Sequence, residues 1–388
     1  MSKVKWAIPA LLLIVFLLFA LWVGNETRAA RRATEEYFQT LTQGNLPANA
    51  EGSLLKLAEN LLEFSMPGAT VGRVRLTSLH GAQAKVNLNG ARGVDFTFTL
   101  QRRGGRWLPL AGDSSSLAVV AGDPPLLVLT VGESTLEKAL QPLGSDKILT
   151  LHTSSLEGFN QGWRDLAPYF TTFYRDQPAG LIVGMTDVVL YSHGERLAAA
   201  VRTKPYVPRF IRVNLSTTGH GGIYHDRVKL SSRQSWQVTE AVTGREISLA
   251  PGAVELIAGE QGIFLGAEQF SHRLIFVPDN SGGQLEFSSI TRTGGAPSYY
   301  GALEVANFGG QLVVVNEVPL EQYLYYVLPG EMPTSFGPRA LEVQAIVART
   351  YALSNFYASG WRRTSAHVVD SVLSQVYNNG GANSTAIA

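Results

Sequence analysis

Trp6 to Val23 is a run of 18 residues without a charged side chain, and no other feature constrains the chain as much. As a helix rising ~1.5 Å per residue it measures ~27 Å, close to the hydrocarbon thickness of a bilayer. The reading is a transmembrane anchor over residues 1–24. A cleaved secretory signal is the alternative, because Lys3 and Lys5 form a basic leader in front of the run. Against it stand the length of the run and the lack of a small-x-small cleavage site after Ala20. Arg28, Arg31 and Arg32 compete with Lys3 and Lys5 for the inner face. The 365 residues that follow Val23 are long enough to be translocated despite them. The expectation is a single-pass protein of the cell membrane with its bulk outside the cytoplasm.

Composition narrows what that bulk does. The chain has 32 Lys and Arg against 31 Asp and Glu, a net charge of +1, which supplies no basic field for neutralising phosphates, so nucleic acid is not an expected partner. Cysteine is absent, which removes disulfides, thiolate nucleophiles and cysteine-held zinc. Hydrophobic residues make up 45% of the 388 residues, enough for two or three cored domains at ~150 residues each. With 39 glycines and only 16% charged residues, the body is expected to be rich in strands and loops. No cofactor is expected.

After the anchor, Ala30, Ala33, Tyr37 and Leu41 recur at helical spacing within Arg28 to Thr42, and Leu54, Leu57, Ala58, Leu61 and Phe64 mark a second helix. The period then changes to two, with Ala84, Val86 and Leu88, then Phe96, Phe98 and Leu100, alternating with polar residues. Arg103-Gly104-Gly105-Arg106 turns the chain into Trp107-Leu108. Two helices followed by a curved antiparallel sheet form a small α+β cone over 28–111. By pattern it resembles the NTF2-like modules found outside the membrane in bacterial envelope proteins, where the resemblance implies a spacer or interaction domain. Residues 112–180 are the least readable part, a linker or an uncertain region, linker-like around Asp113-Ser114-Ser115-Ser116 and Asp123-Pro124-Pro125, with a short helix suggested at Trp163 to Tyr174.

From Leu181 short apolar runs predict strands, among them Asp187–Tyr191, Phe210–Leu215, Val254–Ala258, Arg273–Val277 and Leu285–Ile290. The strand at Leu312 to Val315 is followed by a short helix after Pro319, which Pro329-Gly330 stops. Pro333 biases Met332 to extended backbone, and a longer helix begins near Pro338, with Leu341, Ala345, Ala348 and Ala352 on one stripe and Gln344, Val347 and Tyr351 on another. Glu331 falls in the loop between these helices. A partly buried carboxylate there would be raised toward neutrality, as a general acid requires, whereas an exposed one is simply solvated or caps the next helix. Arg349 lies in an otherwise apolar helix and needs a partner, with Glu321 and Glu342 as candidates for a structural ion pair. His220 and His225 stand among turn glycines without a third ligand at metal-binding spacing, so no metal is expected.

Asn316-Glu317-Val318-Pro319-Leu320-Glu321-Gln322-Tyr323-Leu324, Glu331-Met332-Pro333, the run from Ala340 to Leu353 and Ser374-Gln375-Val376-Tyr377 resemble, in that order and spacing, the SpoIID/LytB family. Its domain is read over 181–388, with the core motifs within 311–377. Family members are cell-wall proteins, some lytic transglycosylases acting on glycan strands stripped of stem peptides during sporulation, others described as enhancers of an amidase. The resemblance implies Glu331 as the catalytic glutamate and Arg349 as an active-site arginine. Gln344, Gln375 and Tyr377 are candidates to bind the glycan, with core packing or backbone hydrogen bonding as the alternative at each. The implied partners are peptidoglycan glycan strands and a cell-wall amidase or other envelope proteins. Some members hold zinc through cysteine and histidine near the last block, where Leu373 and Ser374 stand here. Family domains also continue past that block, so Ser384 to Ala388 reads as a domain cut short, which leaves independent activity open. The fold expected is α+β throughout: an N-terminal transmembrane helix, an NTF2-like cone, and a β-rich SpoIID-type domain with two adjacent helices, truncated at its C-terminus.

Overall fold

The computed structural model describes residues 4–48, 50, 52–64, 68–88, 94–109, 115–280 and 282–377. Asp113, Ser114 and the Ser384 to Ala388 segment lie outside the described residues. The chain divides into two compact units, Met1–Leu140 and Gln141–Ala388. Both mix helix and strand, with strands in the majority.

The first unit opens on helix α1, Val4–Thr42, which is continuous where the sequence suggested an anchor and a separate helix. Gly24 does not break it, because a single helical glycine costs only ~1 kcal/mol relative to alanine. Leu11 to Leu18 are all more than half exposed, so this apolar stretch has nothing of the protein against it, and the helix is long and apolar enough to cross a membrane. Its second half is amphipathic. Ala30, Thr34, Tyr37, Phe38 and Leu41 are buried, and so are Leu54, Leu57, Ala58 and Leu61 of α2, Ser53–Glu63. They cover an antiparallel meander of Ala69–Leu76, Gly81–Leu88, Val94–Arg103 and Arg106–Pro109, whose inward residues are the alternating Ala84, Val86, Leu88, Phe96, Phe98 and Leu100. The last hairpin closes on Gly104 and Gly105 at φ 57° and 77°, the positive pair a two-residue turn needs to match strand twist. Glu26 on α1 accepts from Trp107 Nε1 at 2.9 Å and pairs with Arg102 at 2.9 Å, so its carboxylate is compensated where the helix meets the sheet.

The stretch expected as a linker is built of strands. Ser115–Val120, Leu126–Val131 and Ser134–Ala139 form an antiparallel sheet in the first unit, with Asp123-Pro124-Pro125 in the turn between the first two. The helix expected at Trp163 to Tyr174 is also a strand, Gly162–Tyr174. Pro168 at its centre would break a helix, and Tyr169 to Tyr174 are all aromatic or β-branched, residues that favour a pleated surface.

In the second unit that strand lies parallel to Arg196–Arg202, next to Val188–His193 and Gln141–Asp146 on one side and Ser155–Gly158 and Ile148–Leu151 on the other. A second sheet orders Glu246–Leu249, Trp236–Glu240, Arg273–Pro278, Ala302–Phe308, Gln311–Pro319, Phe210–Leu215 and Val368–Val369. A third runs through Glu268–Phe270, Ile263–Leu265, Gly252–Ala258, Arg227–Ser232, Leu285–Phe287 and Ser298–Tyr299. One hydrophobic core joins them, with Trp236, Tyr299, Phe276, Phe287, Tyr323 and Tyr377 among its largest members. The five strands expected from Leu181 onward are present; Phe210–Leu215 has the expected bounds, and the other four differ by one to three residues at one or both ends.

Between the sheets runs a chain of alternating charge. His272 Nε2 meets Glu157 at 2.6 Å, and Glu157 takes two hydrogen bonds from Arg273, at 2.9 and 2.6 Å. Arg273 also binds Glu304, whose other oxygen lies 2.7 Å from Arg212. Arg212 then binds Glu317, which Lys147 holds at 2.7 Å. Both guanidiniums are at most 1% exposed. Burial works against the charge of Glu157 and Glu317, but Arg273 beside the one and Lys147 and Arg212 beside the other pull both carboxyls down to about 2.

His367 is buried next to this chain, its Nδ1 accepting from the Arg212 amide at 3.1 Å and its Nε2 donating to the Val183 carbonyl at 2.8 Å. Burial lowers it to about 3. The native state therefore binds fewer protons than the unfolded state over this range, and stability falls as pH falls. The His367 contribution is complete above ~pH 6.5 and drains down to ~3, and those of Glu157 and Glu317 drain from ~4.5 to ~2. Thermal melts across pH are expected to lose stability first below ~6.5, with His367→Gln flattening the slope between ~6.5 and ~4.5. A slope unchanged in that variant would remove His367 as its cause.

Candidate active site

The strand Gln311–Pro319 crosses the core and hands over at Pro319 to α3, Leu320–Glu331. Tyr323, Leu324, Val327 and Leu328 are buried and fix the helix against the sheets. Contrary to expectation, Pro329-Gly330 does not stop it. Pro329 sits in the last turn, where the N–H it lacks costs one bond to Tyr325, and the helix runs on to Glu331. The stop is Met332, at φ −138° and ψ 123°, the extended backbone that Pro333 imposes on its predecessor. After a short turn, α4, Pro338–Ala358, starts on a proline and packs Leu341, Ala348, Ala352 and Phe356 inward.

Glu331 is therefore a helix-terminal residue rather than a loop residue, and it is exposed. The partial burial that the sequence suggests for a general acid is not there. What holds the carboxylate is the segment Gln375–Tyr377, since the Val376 amide donates to Glu331 Oε1 at 2.6 Å. That segment approaches so closely because residue 330 is glycine, where a Cβ would stand 2.8 Å from the Val376 carbonyl oxygen. Behind it, Tyr323 Oη donates to Gln375 Oε1 at 3.1 Å, Gln375 Nε2 reaches the Ala348 carbonyl at 3.4 Å, and Tyr377 Oη donates to Asn316 Oδ1 at 3.0 Å. The Tyr323 and Tyr377 rings lie 5.0 Å apart. Burial first, and then the nearby Glu331 carboxylate, push the Tyr323 phenol well up, so it stays a neutral donor.

This arrangement corrects two of the site expectations. Gln375 and Tyr377 are 5% and 0% exposed and offer no face to a glycan; they fix Val376, and through it Glu331. Arg349 does not lie deep in the helix packing but on its open side, where Nε and Nη2 bind Glu321 Oε1 and Oε2 at 3.0 and 2.6 Å. Of the two ion-pair candidates, Glu321 is the partner. Gln344 is half-exposed on α4, and the structure does not bring it to Glu331 through any hydrogen bond. His220 and His225 do not converge either: His220 Nδ1 contacts Ser216 Oγ at 2.7 Å, and the buried His225 donates to the Leu215 carbonyl at 2.9 Å. Among the described residues no three His, Asp or Glu side chains gather to hold a metal.

Gly330→Ala is expected to push Val376 away and free the Glu331 carboxylate, at about 1–3 kcal/mol in stability. Hydrogen exchange checks this directly, because the Val376 amide should lose protection while the amides of α4 keep theirs. Equal protection in both proteins would mean that the close approach at residue 330 does not position the carboxylate.

A core of strands leading into a helix that ends on a pinned glutamate defines the second half of the unit, and residues 309–388 match the family model described as Stage II sporulation protein, SpoIID. Over these residues the chain is similar to the SpoIID family. It is 37% identical over 67 residues to Stage II sporulation protein D of Bacillus amyloliquefaciens, an overlap of 17% of this chain and 20% of the relative. It is 36% identical over 80 residues to an uncharacterised protein of Brachyspira hyodysenteriae, covering 21% of this chain and 22% of that one. The chain thus spans about a fifth of the length of the curated relatives it matches. No solved structure matches it.

Proposed function

We propose that the chain is a membrane-anchored, extracytoplasmic lytic transglycosylase that cleaves peptide-stripped peptidoglycan strands in the cell-wall remodelling of sporulation. The observation that carries the reading is the 2.6 Å bond between the Val376 amide and Glu331, which joins two of the family's sequence blocks 45 residues apart at one exposed carboxylate. In this reading Glu331 acts twice. As acid it gives its proton to the glycosidic oxygen that leaves C1 of N-acetylmuramic acid. As base it then takes the proton of that sugar's own C6 hydroxyl while O6 attacks C1. The bond to the leaving sugar is replaced by a 1,6-anhydro ring, no water is consumed, and one carboxyl suffices where a hydrolase needs two. The apolar part of α1 serves as the anchor, and residues 28–111 as an NTF2-like spacer.

The test is digestion of amidase-stripped peptidoglycan by the full chain in detergent, with products identified by mass spectrometry. Anhydro-ended fragments support the proposal, and reducing-end fragments alone overturn it in favour of hydrolysis. A second reading, a non-catalytic glycan-binding module that enhances a cell-wall amidase, is favoured by α4, where Val343, Ile346 and Val347 are 62%, 63% and 54% exposed. Bare apolar side chains at that density mark a surface for another protein. In that case an added amidase is accelerated, and the acceleration survives loss of the Glu331 carboxyl.

A further inference from the structure

A cavity of about 400 Å³ opens in the second unit where Phe210–Leu215 meets the start of α3. It lies at the opposite end of that helix from Glu331, about 17 Å away along the axis at 1.5 Å per residue. Its walls carry four cations, Lys147, Lys204, Arg209 and Arg212, against two carboxylates, Asp187 and Glu317. Three of the cations are already committed. Arg212 spends Nη1 on Glu317, Nη2 on Glu304 and Nε on the Ser365 carbonyl. Lys147 holds both oxygens of Glu317, at 2.7 and 2.8 Å, and Lys204 holds Asp187 at 2.9 Å.

Arg209 is different. Its backbone carbonyl accepts the first amide of α3, from Leu320 at 2.9 Å, which fixes the residue at the cavity edge. Among the described residues its guanidinium has no acidic partner. Beside it Phe210 is 49% exposed although it lines the cavity, and the Tyr206 ring is half-buried in the same wall. An uncommitted guanidinium next to open aromatic faces suits a ligand that has both a carboxylate and an apolar ring face.

We infer that this cavity is a subsite for a carboxylated sugar, with Arg209 binding the carboxylate and Phe210 and Tyr206 flanking the ring. The choice of sugar rests on the proposed glycan substrate. Removing stem peptides leaves a free lactyl carboxylate on every muramic acid unit, so the subsite would select stripped strands from those still carrying peptide.

Calorimetric titration of the full chain in detergent tests the assignment with N-acetylmuramic acid, N-acetylglucosamine and lactate as probes. N-acetylmuramic acid is expected to bind, to weaken at least tenfold in Arg209→Ala, and to recover in part in Arg209→Lys. The other two probes, each lacking one half of the ligand, are expected to bind at least tenfold more weakly. Equal affinity for N-acetylglucosamine overturns the role of Arg209, equal affinity for lactate overturns the aromatic contribution, and an unchanged Arg209→Ala or no binding of N-acetylmuramic acid overturns the site. A chain that makes no anhydro products yet binds N-acetylmuramic acid through Arg209 would refute the transglycosylase while the subsite stands.

Discussion

Glu331→Gln is expected to reduce the release of anhydro-ended fragments by ~10²–10⁴, the usual contribution of one general acid–base group, and to leave the fold as it is. The two halves of that expectation come from different features of the site. Gln keeps an oxygen for the Val376 amide but cannot give or take the proton. Because Glu331 is exposed, the substitution strands no buried charge, and the stability change should stay within about ±0.5 kcal/mol. A fall in rate with unchanged melting therefore reports chemistry alone. The pair between Arg349 and Glu321 provides the contrast. At 38% and 59% side-chain exposure it is worth at most ~1 kcal/mol, so a large loss of rate in Arg349→Ala would have to come from the glycan side of the helix. If Glu331→Gln releases anhydro products at the wild-type rate, the carboxylate is not the acid, and the transglycosylase works through another group.

The parts of this site that could be read from the chain are those set by neighbours in sequence. Pro333 makes Met332 extended, as its position implies, and the alternation of Phe96, Phe98 and Leu100 marks an inward face, because both effects act within two residues. Pro329-Gly330 misled for the opposite reason. A proline is a strong local signal, but in the last turn it removes a single hydrogen bond, and the packing of Tyr323, Leu324, Val327 and Leu328 outweighs that. Within Trp163 to Tyr174, where the sequence suggests a helix, Pro168 and the β-forming side chains after it favour the strand instead. Nothing local announced that Glu331 would be held by Val376, or that Gln375 and Tyr377 would be buried supports. Arg349 was expected inside its helix because the residues around it are apolar, but Val343, Ile346 and Val347 are themselves exposed. The charge chain was the least legible of all. Lys147 and Glu317 are 170 positions apart, and each member alone is one more charged residue in or beside a strand.

That chain is also where a single substitution should cost the fold most. Glu304 is 1% exposed and lies between two buried guanidiniums, one oxygen on Arg212 and the other on Arg273. Glu304→Gln keeps the shape but removes the charge and turns an amide toward one of the two cations. Breaking a buried pair from one side costs about 3–5 kcal/mol, because the partner stays charged without water, and here two partners are left at once. For a unit of this size the melting temperature is expected to fall by about 6–20 °C at 2–4 °C per kcal/mol. Glu321→Gln, which releases the exposed Arg349, should move it by no more than a few degrees. The combined variant Arg212→Met, Glu304→Leu, Arg273→Met separates what the charges contribute from what their loss costs. Removing all three charges leaves Glu157 and Glu317 short of one partner each, so recovery should be partial, and smaller than in a network closed on itself. Glu317 keeps Lys147 and Glu157 keeps His272, which is why some recovery is expected at all. A Glu304→Gln protein that melts within a degree of the wild type would mean that the guanidiniums find other partners or water when the carboxylate goes, and that the chain of charge between the sheets is not what holds them in register.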